Sequence, residues 1–230
     1  MDFQTIIDFD KQLLLLLNGS ESLFLDSMVL TLTNALTWVP LYISLLIVVI
    51  KNSESSLKVL LVLASAGLCV LFTGAVDDTI VKPLVGRWRP TRDPEIGLLV
   101  DIVDGYRGGD YGFFSAHASN TFSVAIFFCW LVRSRLLSVA LVLWSLTNCW
   151  TRLYLGVHFP GDILVGLCWG AIVGTGVYRL YHYYAAKWLW MPVYTSGALT
   201  PTGFARNDAN LPVCVLVFTF IYAVMRACFA

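Results

Sequence analysis

Seven side chains in this chain are of types that could do chemistry together: Lys82, Arg89, Ser115, His117, Arg152, His158 and Asp162. They fall in three short stretches of an otherwise apolar sequence: KPLVGRWRPTR at 82–92, YGFFSAHASN at 111–120 and TRLYLGVHFPGD at 151–162. Lys82 and Arg89 are two helical turns apart and could share a face. Gly86 and Pro90 argue against a continuous helix, which puts the cluster at a helix end. Several cations aimed at one place imply an anion. Arginine offers a planar fork of donors that matches phosphate oxygens, and lysine offers a point charge. Taken alone, the cluster reads at least as readily as a lipid-headgroup contact or a solvated patch.

In the second stretch Ser115 is placed to cap a helix, with His117 in its first turn. A helix N-terminus presents free N–H groups and a positive dipole end, which suits an anion. A histidine there can protonate a departing oxygen, although a lone interfacial histidine is the plainer reading of that residue by itself. In the third stretch His158 and Asp162 are four apart, and Arg152 lies six before His158. A carboxylate can fix one imidazole tautomer and leave the other nitrogen as nucleophile or base.

The elements that must position these groups are membrane helices. Of the 230 residues 58% are hydrophobic and 13% charged, and mean hydropathy is +0.75. Soluble domains run about 45–50% apolar and about 25% charged. Charged groups in such a setting are costly and mark function. Fifteen basic residues balance fifteen acidic ones, so no basic field points to a nucleic-acid partner. Eight Trp and ten Tyr suit interfacial belts. The six cysteines lie in apolar stretches without a CxxC pair and read as core or lipid-facing residues. Met1-Asp2-Phe3 offers no basic leader, and LLLLL at 13–17 is too short for a signal-peptide core.

Six candidate spans of roughly the required length follow: 26–50, 57–80, 117–133, 136–155, 161–181 and 211–229. The expected fold is all-α, an integral membrane bundle of about six transmembrane helices plus an N-terminal interfacial amphipathic helix over 3–17. The chain reads as one membrane domain: 1–19 the interfacial helix, 20–188 the catalytic core, 189–230 a loop and the last span. Gly166, Gly170 and Gly174 form a stripe that lets a neighbouring helix approach closely. Six spans put 81–116, 152–162 and both termini on one face. The other face carries Lys51, Lys58, Arg133, Arg135, Arg179, Lys187 and Arg206 against Glu54 and Asp208, so the positive-inside rule makes it cytoplasmic.

Together the three stretches resemble the signature of the type 2 phosphatidic acid phosphatase (PAP2) superfamily: K-x6-R-P, P-S-G-H and S-R-x5-H-x3-D. Lys82 to Arg89-Pro90 is complete. Phe114-Ser115-Ala116-His117 has Phe for Pro and Ala for Gly, and Thr151-Arg152, His158 and Asp162 have Thr for Ser. The resemblance implies that Lys82, Arg89, Arg152 and Ser115 hold a phosphate and that His158 attacks phosphorus. Asp162 would orient His158, and His117 would protonate the leaving oxygen and then activate water. It implies no cofactor and no metal, the cations doing the neutralisation that Mg²⁺ does elsewhere. Ala116 is compatible with the negative φ of a first helical turn.

The expected partner is a lipid phosphate in a bilayer, met at the outer face of a bacterial inner membrane. Polyprenyl diphosphate, phosphatidylglycerophosphate, phosphatidate and lipid A phosphate are the candidates. The alternative is a transporter or channel using the same cluster for an anion, although such sites lie at the midplane rather than at helix ends. A third reading makes His117, His158, Asp77 and Asp78 a metal or cofactor site. Asp78, four residues before Lys82, more simply pairs with it.

Overall fold

The computed structural model describes residues 2–189, 194 and 196–229. Eight principal helices follow one another: α1 (Phe3–Leu17), α2 (Leu23–Thr33), α3 (Val39–Lys51), α4 (Ser56–Val85), α5 (Ala116–Val132), α6 (Arg135–Tyr154), α7 (Pro160–Trp188) and α8 (Leu211–Cys228). The boundaries have local causes. Ser22, Ser55 and Ser115 cap α2, α4 and α5, their side chains accepting from Leu25, Lys58 and Ala118 N–H. Gly86, at φ 61°, takes the left-handed conformation that ends α4. Pro160 opens α7, where its missing N–H costs nothing.

Among the described residues, four helices are long and apolar enough to cross a membrane: Ser56–Val85, Arg135–Tyr154, Pro160–Trp188 and Arg206–Cys228. The count of six is not reached on that measure, for two reasons. The expected span 26–50 is broken at Asn34, whose side chain accepts from Leu36 N–H and starts a new turn, and the two halves bend by 67°. They add a fifth span only if taken together. Helix α5 has 17 residues, about 25 Å at 1.5 Å per residue, against a hydrocarbon core of about 30 Å.

Helices α5 and α7 form the centre. A Cβ on Gly166, Gly170 or Gly174 would stand 2.8, 2.7 or 2.5 Å from the carbonyl oxygens of Ser115, Ser119 and Ser123. The stripe therefore brings the backbone of α7 directly onto α5, as the spacing predicts. Around this pair a core of large rings fills the space: Trp38 meets Trp144 and Phe220 edge-on, each at 5.8 Å between centroids. Helix α8 packs on α2 and α3. All six cysteines are free thiols.

Helix α1 is amphipathic. It presents Ile6, Phe9 and Leu16 outward and buries Leu14 against Ile96, Val100 and Phe159. The antiparallel order of α4 to α7 places the C-terminal ends of α4 and α6 beside the N-terminal ends of α5 and α7. Lys82, Ser115, His117, Arg152 and Asp162 lie at those four ends, Arg89 follows α4 on an extended segment, and His158 lies two residues before α7.

Candidate active site

The site begins with an extended segment after α4. Arg89 N–H donates to the Asp110 carbonyl at 3.0 Å, and Gly112 N–H donates to the Arg87 carbonyl at 2.9 Å. Trp88 and Tyr111 face each other across this short antiparallel pairing, with their rings 5.2 Å apart. Side chains alternate along extended backbone. Trp88 turns outward while Arg87 and Arg89 both turn toward the start of α7.

Arg89 reaches His158. Its Nη1 donates to the Val157 carbonyl at 3.0 Å and lies 3.1 Å from His158 Nε2. A guanidinium has no acceptor, so Nε2 offers its lone pair and the proton sits on Nδ1. That Nδ1–H donates to the Gly112 carbonyl at 2.8 Å. His158 is 2% exposed. Burial, then the charges of Arg89, Arg152 and Lys82, hold the imidazole well below its ordinary value; the Gly112 bond works weakly the other way. The result is a neutral imidazole with Nε2 aimed among cations.

Asp162 differs from the expectation in detail. Its Oδ2 is 3.7 Å from His158 Nδ1, while the Gly112 carbonyl makes the close hydrogen bond. Oδ2 instead accepts from Phe159 N–H at 2.9 Å, closing the first turn of α7, and Oδ1 accepts from Arg87 at 2.7 Å. Asp162 thus holds the backbone that carries His158. Its carbonyl also accepts from Ser115 N–H at 3.1 Å, which ties the start of α5 to the start of α7.

Arg152 is 2% exposed and donates to Thr33 Oγ1 at the end of α2 and to the Tyr106 hydroxyl at 3.0 Å. The Nε–H groups of Arg89 and Arg152 are buried without an acceptor among the described residues. Such donors are rarely left unpaired, and an anion would satisfy both. Lys82 stands at the margin, its Nζ 2.8 Å from Asp77 Oδ2 and paired with Asp78. Ser115 is buried and His117, one residue beyond Ala116, is half-buried in the first turn of α5. Lys82, Arg89, Arg152 and His158 all lie within electrostatic reach of His117. Among the described residues no three His, Cys, Asp or Glu side chains gather as a metal ion would require.

Sequence reasoning missed Arg87, Asp10, Gly112, Thr33 and Tyr106. Only Arg87 left a signal, the repeated arginine in Arg87-Trp88-Arg89-Pro90.

Apolar helices here present clustered cations around a neutral, buried imidazole, an arrangement suited to an anionic group such as a phosphate. The chain matches the PAP2 superfamily over residues 56–186, more than half its length, and belongs to that superfamily. It is a phosphatase acting on lipid phosphate. It is 43% identical over 182 residues to the lipid A 4'-phosphatase of Bacteroides thetaiotaomicron, covering 78% of this chain and 80% of that protein. The lipid A 4'-phosphatase of Porphyromonas gingivalis is 34% identical over 190 residues, 80% of this chain and 78% of the relative. A decaprenylphosphoryl-5-phosphoribose phosphatase of Mycobacterium tuberculosis is 36% identical over 111 residues, 48% of this chain and 55% of the relative. No solved structure matches the chain.

Proposed function

We propose that this protein removes a phosphate monoester from a lipid A headgroup through a phosphohistidine at His158. The observation that carries the mechanism is the 3.1 Å approach of His158 Nε2 to Arg89 Nη1, with Nδ1–H committed to Gly112. A phosphate that takes over the Arg89 Nη1–H frees the Nε2 lone pair beside it, with no rearrangement of the ring. Nε2 forms a bond to phosphorus as the phosphorus–oxygen bond to the lipid breaks, and His117 gives its proton to the departing oxygen. A water then attacks phosphorus, His117 takes its proton, and the phosphorus–nitrogen bond breaks to release inorganic phosphate and free His158. Arg89, Arg152, Lys82 and the first turn of α5 neutralise the charge that gathers on the phosphoryl oxygens.

The substrate reading rests on two relatives named lipid A 4'-phosphatases, each aligned with about four-fifths of the chain. Polyprenyl diphosphate, phosphatidylglycerophosphate and phosphatidate are the runners-up. The protein sits in a bacterial membrane, which we take to be the inner membrane. The basic residues at the far ends of the spans support, by the positive-inside rule, a site on the outer face.

The test is phosphate release by purified protein from each of these four lipids, with trapping of labelled enzyme. Lipid A should be turned over fastest and leave an acid-labile, base-stable phosphoenzyme. His158→Ala should lower the rate by at least about a thousandfold and abolish the labelled species. Label retained in that variant would move the nucleophile elsewhere, and preference for another lipid would displace lipid A.

A further inference from the structure

Helix α1 does more than face the membrane. Its Asp10 is largely buried and bridges two parts of the site from outside. Oδ2 accepts from Arg87 Nη2 at 2.6 Å, and Oδ1 accepts from Gly161 N–H at 2.7 Å. Arg87 in turn donates from Nη1 to Asp162 Oδ1 at 2.7 Å, with its guanidinium 4.2 Å over the Phe159 ring. One carboxylate therefore fixes the arginine that orients Asp162 and also satisfies a free N–H of the turn that carries His158. Glycine at 161 leaves room for that approach, since a Cβ there would stand 2.9 Å from Asp10 Oδ2.

The rest of α1 is pinned so that Asp10 cannot drift. Lys11 lies 3.3 Å from Asp93 and 2.6 Å from Glu95. Asn18 pairs with the backbone of Asp101 in both directions and donates to the Tyr154 carbonyl at the end of α6. Leu14 is fully buried on Phe159's cluster.

We propose that Asp10 is a positioning residue for the reaction. It holds Arg87 and the first turn of α7, and through them Asp162 and His158, which makes α1 a working part of the active centre. The inference rests on the phosphohydrolase reading of the site.

The test uses full-length protein and a lipid phosphate that the wild type hydrolyses, presented both in vesicles and in detergent micelles. Asp10→Ala should lower kcat between about ten- and a hundredfold in both settings, the scale of a small misplacement of reacting groups, with KM within about twofold. Asp10→Asn keeps an acceptor for Gly161 and loses one for Arg87, so it should fall between wild type and Asp10→Ala. Asp10→Glu should recover most of the rate. The double variant Asp10→Asn/Arg87→Gln should be no slower than the slower single one, because both remove the same link. Full kcat in Asp10→Ala, a loss confined to vesicles or to KM, or a multiplicative double variant would overturn the positioning role. A wild type that hydrolyses none of the lipid phosphates tried would instead overturn the phosphohydrolase reading. Melting temperatures within a few degrees of wild type exclude loss of fold as the cause, and Asp10→Asn, being isosteric, serves if Asp10→Ala does not fold.

Discussion

Arg89 donates from Nη1 to Nε2 of His158 across 3.1 Å, so the group that would hold the phosphoryl oxygens touches the atom that would attack phosphorus. Nη1 also bonds the Val157 carbonyl, which leaves the buried Nε–H for a ligand. Arg89→Lys keeps the charge and loses this geometry, since one ammonium cannot bond backbone, imidazole and anion in a plane. The expected loss in kcat/KM is about a hundredfold, read from steady-state phosphate release. A loss under about threefold would remove Arg89 from the phosphate cradle.

The second prediction concerns pH. Burial and three neighbouring cations depress the His158 imidazole, so the folded protein keeps it neutral where an unfolded chain takes up a proton. The stability that depends on this is complete above the unfolded value of about 6.5. It is lost as pH falls from there toward the folded value, because the unfolded state then binds more protons. Thermal unfolding in detergent should show a falling melting temperature below about pH 6.5 that flattens in His158→Gln. The acid limb of kcat/KM for the nucleophile should likewise lie well below about 6.5. An acid limb at the ordinary imidazole value would contradict a neutral, cation-surrounded His158.

The third prediction concerns metal. If Lys82, Arg89 and Arg152 neutralise the phosphoryl oxygens as proposed, activity should survive EDTA within about twofold, and vanadate, which takes the five-coordinate geometry of the transition state, should inhibit it. Asp77 and Asp78 are both engaged by Lys82, and Asp162 by Arg87 and Phe159 N–H. Loss of activity in EDTA that Mg²⁺ or Mn²⁺ restores would reassign one of these carboxylates to a metal and reopen the role of His158.

The fourth prediction tests the packing that brings α5 and α7 together. Gly170→Ala places a methyl group 2.7 Å from the Ser119 carbonyl oxygen and 3.1 Å from the Ser123 nitrogen, backbone atoms that cannot step aside. It should destabilise the protein by about 1–3 kcal/mol, as overpacking does. A Cβ on Gly176 of the same helix would have nothing within 4 Å, so Gly176→Ala should be neutral or stabilise by up to about 1 kcal/mol. Equal melting temperatures for the two variants would show that the stripe does not carry the contact.

The sequence made local features legible. Ser115 as a cap, Gly86 as a helix stop and the glycine stripe each follow from backbone chemistry within a few residues. The Asp78–Lys82 pair follows from helical spacing alone. What stayed hidden depends on distant partners. Arg87 finds Asp162 75 positions away, and Asp10 finds Gly161 151 positions away. The carbonyl of Gly112 replaces Asp162 as the close partner of Nδ1, and no side chain announces a carbonyl. The break at Asn34 was hidden for another reason: apolar composition is continuous across it, and only the cap on Leu36 N–H reveals the bend.

The pairing of 87–89 with 110–112 also sets how the chain tolerates length changes. Arg87 and Arg89 face inward because they are two apart on extended backbone, with Trp88 between them facing out. Removing or adding one residue between Gly86 and Arg89 reverses every side chain beyond it. An indole would then stand where a guanidinium meets His158, and a charge would point outward. The segment from 87 to 89 is therefore closed to single-residue insertions and deletions, whereas the tip near Gly105, outside the pairing, has no such parity to keep.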